Sequence, residues 1–209
     1  MNRRSAWLLA AIVVAGLAAW TSGGDAQQSD RDVPLPTECQ VPPRTLESLQ
    51  ALATPEPLER VGLEASPTAL PPGDPLDAES LAAITATARQ VIACENAGEP
   101  WRALALYSDR FLSQYFSEPG VFTPERYAML ATPRPVAPAD QQIALVAVAD
   151  GRLLADGRAG ATVTVNDPSS TEGGDTASFL FFTEQDGQWL VDSAVELPTT
   201  PAGTPTSTG

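Results

Sequence analysis

Tyr107 and Asp109 stand two residues apart in "ALYSDRF". An acid beside a phenol can abstract a proton next to a carbonyl when burial raises the acid's pKa. Asp109 is also a good cap for the turn that follows, and capping is the reading the residues favour. A second oxygen-rich cluster, "DPSSTEGGD", gathers Asp167, Ser169, Thr171, Glu172 and Asp175. Calcium takes such ligands, but the spacing lacks the bidentate acid and turn glycine of a standard loop, so a hairpin loop without metal is expected. Other chemistries are excluded by composition. The chain has no histidine, and all 12 of its basic residues are arginine. Imidazole-based nucleophile systems, Schiff-base lysines, the Walker-type lysine and histidine-ligated zinc are therefore ruled out. Two cysteines cannot build a thiolate zinc site. No catalytic residue, metal site or cofactor is assigned.

The stretch "CENAGEPWRALALYSDRFLSQYF" is rich in aromatics. Trp101, Tyr107, Phe111 and Tyr115, with Phe179, Phe181 and Trp189 from the C-terminal half, are candidate walls of an apolar ligand pocket. The competing reading is a filled core, since aromatic side chains are common core residues.

The net charge of −14 opposes nucleic-acid binding and adsorption to an anionic membrane. Residues 1–26 carry Arg3 and Arg4, an apolar run from Ala6 to Trp20, and small residues at Gly24 and Ala26. This is the pattern of a signal peptide or, if uncleaved, an N-terminal anchor, which would be the only membrane attachment. The protein is expected to be secreted or held in the cell envelope. There Cys39 and Cys94 can form one disulfide; the alternative is two unpaired thiols.

These residues must be positioned by four regions. Residues 27–76 contain ten prolines from Pro34 to Pro75 and read as an extended wrap. One short helix is expected in "RTLESLQALA", with Thr45 as cap, and Arg44 is a candidate for holding the entry. Residues 77–197 read as one α+β domain. "DAESLAAITATARQVIACENAG" carries apolar residues at helical spacing, capped at Asp77 or Ser80 and ended by Gly98. Pro100 restarts a helix, Ser108 or Asp109 caps a further one, and "FTPERYAMLA" signals another. From Gln141 the period becomes two. "QQIALVAVADGRLL", "RAGATVTVN", "TASFLFFTE" and "QWLVDSAVEL" read as a four-stranded antiparallel meander with turns at Asp156-Gly157 and Asp186-Gly187 and a bulge at Asp150-Gly151. Trp189, Val191, Ser193 and Val195 are expected to face the helices, and Asp192 to be solvated with Glu196. Leu180, Phe182, Val146 and Val148 are expected to form an outer apolar patch, open to the wrap or to a second subunit as a homodimer. Residues 198–209 read as a disordered Pro/Thr/Ser/Gly tail.

Helices followed by a curved meander resemble the nuclear-transport-factor-like, or SnoaL-like, cone superfamily. The resemblance rests on "ACENAGEPWRALALYSDRFLSQYF" and "TASFLFFTEQDGQWLVDSAVEL". It implies a cavity between helices and concave sheet. The expected function is non-catalytic binding of an apolar small molecule or a protein partner. The alternatives are a carboxylate-based isomerase or cyclase, and a purely structural dimeric envelope domain.

Overall fold

A computed structural model describes residues 32–52, 70–117, 124–170 and 174–197. The expected signal segment and C-terminal tail lie outside the described residues, as do Thr123, Thr171 and Glu172. The chain is α+β. Five helices, α1 (Leu46–Leu52), α2 (Ala78–Asn96), α3 (Pro100–Ala103), α4 (Asp109–Ser117) and α5 (Pro124–Ala131), precede most of one antiparallel sheet. Its strands are β1 (Asp74–Pro75), β2 (Ala144–Leu153), β3 (Ala159–Asn166), β4 (Asp175–Gln185) and β5 (Gln188–Glu196), in the order β1-β2-β3-β4-β5. Among the described residues, no helix is long and apolar enough to cross a membrane.

The helix starts follow local chemistry. Asp77 accepts a hydrogen bond from the Ser80 amide at 2.9 Å and caps α2. Gly98 ends α2 at φ +70°, with its amide donating to Glu95 O. The Arg134 carbonyl sits so close to Gly98 that a Cβ would collide with backbone, so glycine is required there twice over. Ser108, not Asp109, caps α4 by accepting from the Phe111 amide at 3.1 Å. Asp109 is the first helical residue and pairs with Arg44 at 2.5 Å. The bridge between Tyr107 and Val191, with the Ser108 amide donating to Val191 O at 2.9 Å, holds this backbone beside β5.

The wrap is tied down at several points. Cys39 and Cys94 form a disulfide, with Cys94 fully buried. Arg44 donates to Leu104 O and Tyr107 O, Arg102 to Cys39 O, and Arg89 to both Glu38 and Asp32. Asn96, buried on α2, donates to Pro34 O and Ile143 O and accepts from the Ile143 amide at 2.8 Å. A single side chain thereby joins wrap, helix and the entry to β2. The buried disulfide points to folding in an oxidising, extracytoplasmic environment.

Three expectations are corrected by the sheet. Among the described residues it has five strands, not four: Asp74 and Pro75 pair with Leu153 and Arg152. A two-residue strand carries no alternation to read, and Pro75 lacks the amide that would advertise it. Second, the faces of β4 are the reverse of those expected. Leu180 and Phe182 belong to the core with Ile84, Val91 and Val191, whereas Phe179 and Phe181 lie outside that cluster, on the other face. The outer apolar patch of Leu180 and Phe182 therefore does not form; Val148 packs on the core, and Val146 alone of the four stays exposed. The cause is register. The two-residue Asp186-Gly187 turn, with φ 53° and 77°, sets Gln185 opposite Gln188, which places Phe182 opposite Val191.

Third, β5 bulges at Asp192. Phe182 pairs with Val191 and Phe181 with Ser193, leaving Asp192 as the extra residue. Beyond it the alternation shifts, so Ala194 packs on the core in place of Ser193 and Val195. Asp192 is not solvated: it is 3% exposed. The bulge turns it toward Ser108 and Arg110, while Arg158 crosses the Phe181 ring at 4.7 Å from its centroid to reach the same carboxylate. Phe179 is buried beside Gly160, where any Cβ would strike its ring.

Candidate functional site

The aromatic candidates do not converge on one pocket. Tyr107 is 1% exposed and stacks on Phe111 at 4.8 Å. Leu104, Leu106, Leu112 and Phe116 beside it are all nearly or fully buried in the same core. Side chains without accessible surface border no hole large enough for water, so this part of the interior is filled. Trp101 packs edge-on to Tyr127 at 4.5 Å, and Tyr115 contacts Phe116 at 5.3 Å; both sit half-buried at the core's margin. Trp189 is half-buried too, and its carbonyl accepts from the Thr87 hydroxyl at 2.8 Å. Phe179 and Phe181 pack edge to face on the opposite side of the sheet.

Two carboxylates withdrawn from solvent, Glu95 half-buried and Asp192 buried, appear that the aromatic pattern did not announce. Glu95 follows Ile84, Ala88 and Val91 along one stripe of α2 at spacings of four, three and four, so its half-buried position was readable from helical periodicity. Burial pushes its carboxyl up to about 7; Arg134, at 3.4 Å, opposes that rise, and Asp167 adds to it. Arg134 has a buried Nε without a hydrogen-bond partner. Tyr107 is raised well above its usual value by burial, with the charge of Glu95 contributing. Glu95 is thus an acid raised toward neutrality beside a guanidinium, able to hold a proton.

Asp192 goes the other way. Burial alone would raise it, but hydrogen bonds from Arg110 and Ser108, with the charge of Arg110 and a bond from Arg158, hold it below the usual carboxylate range. It accepts from Ser108 at 2.7 Å and from Arg158 at 3.1 Å, so it has no free face for substrate, and its role is structural. Among the described residues, no group of three or more histidine, cysteine, aspartate or glutamate side chains is placed to hold a metal ion.

Glu95 makes stability depend on pH. Its folded-state value lies above the 4.5 of a free glutamate, so the folded protein binds the proton more tightly. The stability this contributes is full below about pH 4.5 and is lost as pH rises through 7, a decline of roughly 3 kcal/mol. Glu95→Gln is expected to remove that slope. Urea midpoints of both proteins at pH 4.5 and 7.5 measure it, and equal slopes would refute the assignment.

A concave feature lies elsewhere, away from the aromatic candidates. An open groove of about 510 Å³ runs between α2 and β2, lined by Ala78, Leu81, Ala82 and Thr85 on one side and by Val146 and Val148 on the other. Ala78 and Ala82 have short side chains that leave the space between helix and strand unfilled. Asp32 closes one end, and Asp77 and Glu79 flank Ala78 on the exposed rim. None of the seven aromatic candidates lines it. The signal for it was present in the sequence as apolar residues on both faces of "ALVAVA", which marks a strand whose outer side is not simply solvated. Comparison with protein-family models, with curated proteins and with solved structures finds no match for this chain.

Proposed function

We propose that this chain is an exported, non-catalytic binding domain of the SnoaL-like cone type, secreted or retained in the cell envelope, and that it binds apolar ligand surface in the α2–β2 groove. The observation that carries the reading is the groove itself: about 510 Å³, open, and apolar along both walls. The packed surroundings of Tyr107 support a site on the outside of the core instead of within it. The absence of histidine and lysine from the sequence supports binding over the commoner covalent and acid–base chemistries.

Ala82 is exposed on the groove wall, so Ala82→Arg places a charged side chain there without touching the core. Titration with Nile red, a neutral apolar fluorophore, is expected to saturate with a blue-shifted emission in the parent. Ala82→Arg is expected to weaken it at least about tenfold, a loss of some 1.4 kcal/mol, with the melting temperature unchanged. Absence of saturable binding, or equal binding by the variant, would overturn the reading.

Glu95 supports a second reading, a carboxylate-based isomerase or cyclase. An acid raised to about 7 by burial is suited to proton abstraction next to a carbonyl. The packing around Tyr107 weighs against it, because a substrate would have to displace core side chains.

A further inference from the structure

The groove has a backbone wall as well as a side-chain wall. β2 is bridged by Asp32 at Leu145 and paired with β1 at Arg152 and Leu153, both on the side away from β3. Between these two points, among the described residues, no strand pairs with Val146 to Asp150 on that edge. The exposure agrees: Val146 is 40% exposed, and Ala147, Ala149 and Asp150 are exposed as well. Unpaired strand backbone is a template for another strand. Bulges at both ends of the window, between Leu145 and Ala147 and between Ala149 and Arg152, limit any regular ladder to the residues between them.

We propose that this edge receives an extended segment of a partner polypeptide by strand addition, with apolar side chains entering the groove and basic residues flanking them. This deepens the groove reading and rests on it. Strand addition supplies main-chain hydrogen bonds, while pockets for alternate side chains supply selectivity. Leu81 and Ala82 offer such a pocket directly beside Val146 and Val148. Charge selects the flanks. Arg89 is shared between Asp32 and Glu38, so that trio keeps one negative charge, and Asp77 and Glu79 stand exposed at the α2 start. The whole chain carries −14. A basic partner is steered toward this rim, whereas a second copy of the same acidic chain is repelled from it.

The test uses the full mature chain and the capped peptide Arg-Val-Thr-Val-Thr-Val-Arg. Controls are the same peptide with glutamate flanks and one N-methylated at alternate residues. Binding is read by fluorescence anisotropy and by protection of the β2 amides from hydrogen exchange. The arginine-flanked peptide is expected to bind with a dissociation constant on the order of 10 µM. Its binding should protect amides within Val146–Asp150. Each control is expected to bind about tenfold more weakly, and Ala82→Arg to abolish binding. Equal binding of the N-methylated peptide would refute strand addition. Saturable Nile red binding that Ala82→Arg weakens, without peptide protection, would overturn the peptide and leave the groove standing; failure of both would remove the groove reading itself. Protection of these amides in the free chain also overturns the proposal. If it is independent of concentration, the chain covers its own edge; if it grows with concentration alongside a dimer mass, a second copy does.

Discussion

Asp192→Ala is expected to lower the unfolding free energy by about 3 kcal/mol, the low end for removing one partner of a buried ion pair. Three side chains donate to this carboxylate, Ser108, Arg110 and Arg158, and it is 4% exposed. Removing it leaves two guanidinium groups facing each other across the β5 edge. They remain partly hydrated, at 36% and 26% exposure, which moderates the loss. Ser108 also loses an acceptor while it caps α4. Asp192→Asn keeps the shape and removes the charge, so most of the loss should persist in it. The pH dependence supplies an independent check. Asp192 is held below the free-aspartate value of 3.8, so its contribution is complete above that pH and disappears as pH falls through its lower folded-state value. The gap between parent and variant should therefore close in acid. A urea series from pH 7 to pH 2 in which the gap stays constant, or never exceeds 1 kcal/mol, would show that the charge contributes nothing. The direction is opposite to that of Glu95, whose contribution is lost as pH rises, so the two carboxylates are separable in one set of titrations.

The second large effect belongs to the disulfide. Cys39 and Cys94 are 55 residues apart in sequence. Closing a loop of that length restricts the unfolded chain by about 4 kcal/mol in the chain-entropy model. The bond also anchors the wrap, since Arg89 pairs with Glu38 next to Cys39 and Arg102 donates to Cys39 O. Cys39→Ala/Cys94→Ala is expected to lower the unfolding free energy by that amount, read as a lower urea midpoint. Without the staple, the wrap should also release before the sheet does, so amide exchange should accelerate first in residues 34–52. A uniform acceleration across wrap and sheet would mean that the bond acts on the whole domain equally, and an unchanged midpoint would mean that the arginine ties suffice.

Helix starts and stops were legible because their causes are local. Asp77 caps, Gly98 terminates at positive φ and Pro100 restarts, each through contacts within a few residues. The two Asp-Gly turns and the Asp150-Gly151 bulge were legible for the same reason. Glu95 was legible in principle, since it extends the Ile84–Ala88–Val91 stripe. The faces of β4 were recoverable as well, by counting back from the Asp186-Gly187 turn to the pair Phe182–Val191.

By itself the sequence determined the α+β order of elements, the chemistries that histidine and lysine would have provided, and the single possible disulfide. These depend on composition and on patterns that repeat over short spans. The tertiary structure alone decided that Asp192 is buried and that, among the described residues, Val146 to Asp150 of β2 have no strand partner on the edge away from β3. A bulge inserts one residue into the pairing of β5 with β4 at Asp192, and no local pattern encodes that choice. Arg158 lies 34 residues from Asp192 and Ser108 lies 84 residues away, so their convergence exists only after the strands are laid side by side. The groove likewise lies between two elements far apart in sequence, α2 and β2, and it appears only when both are in place.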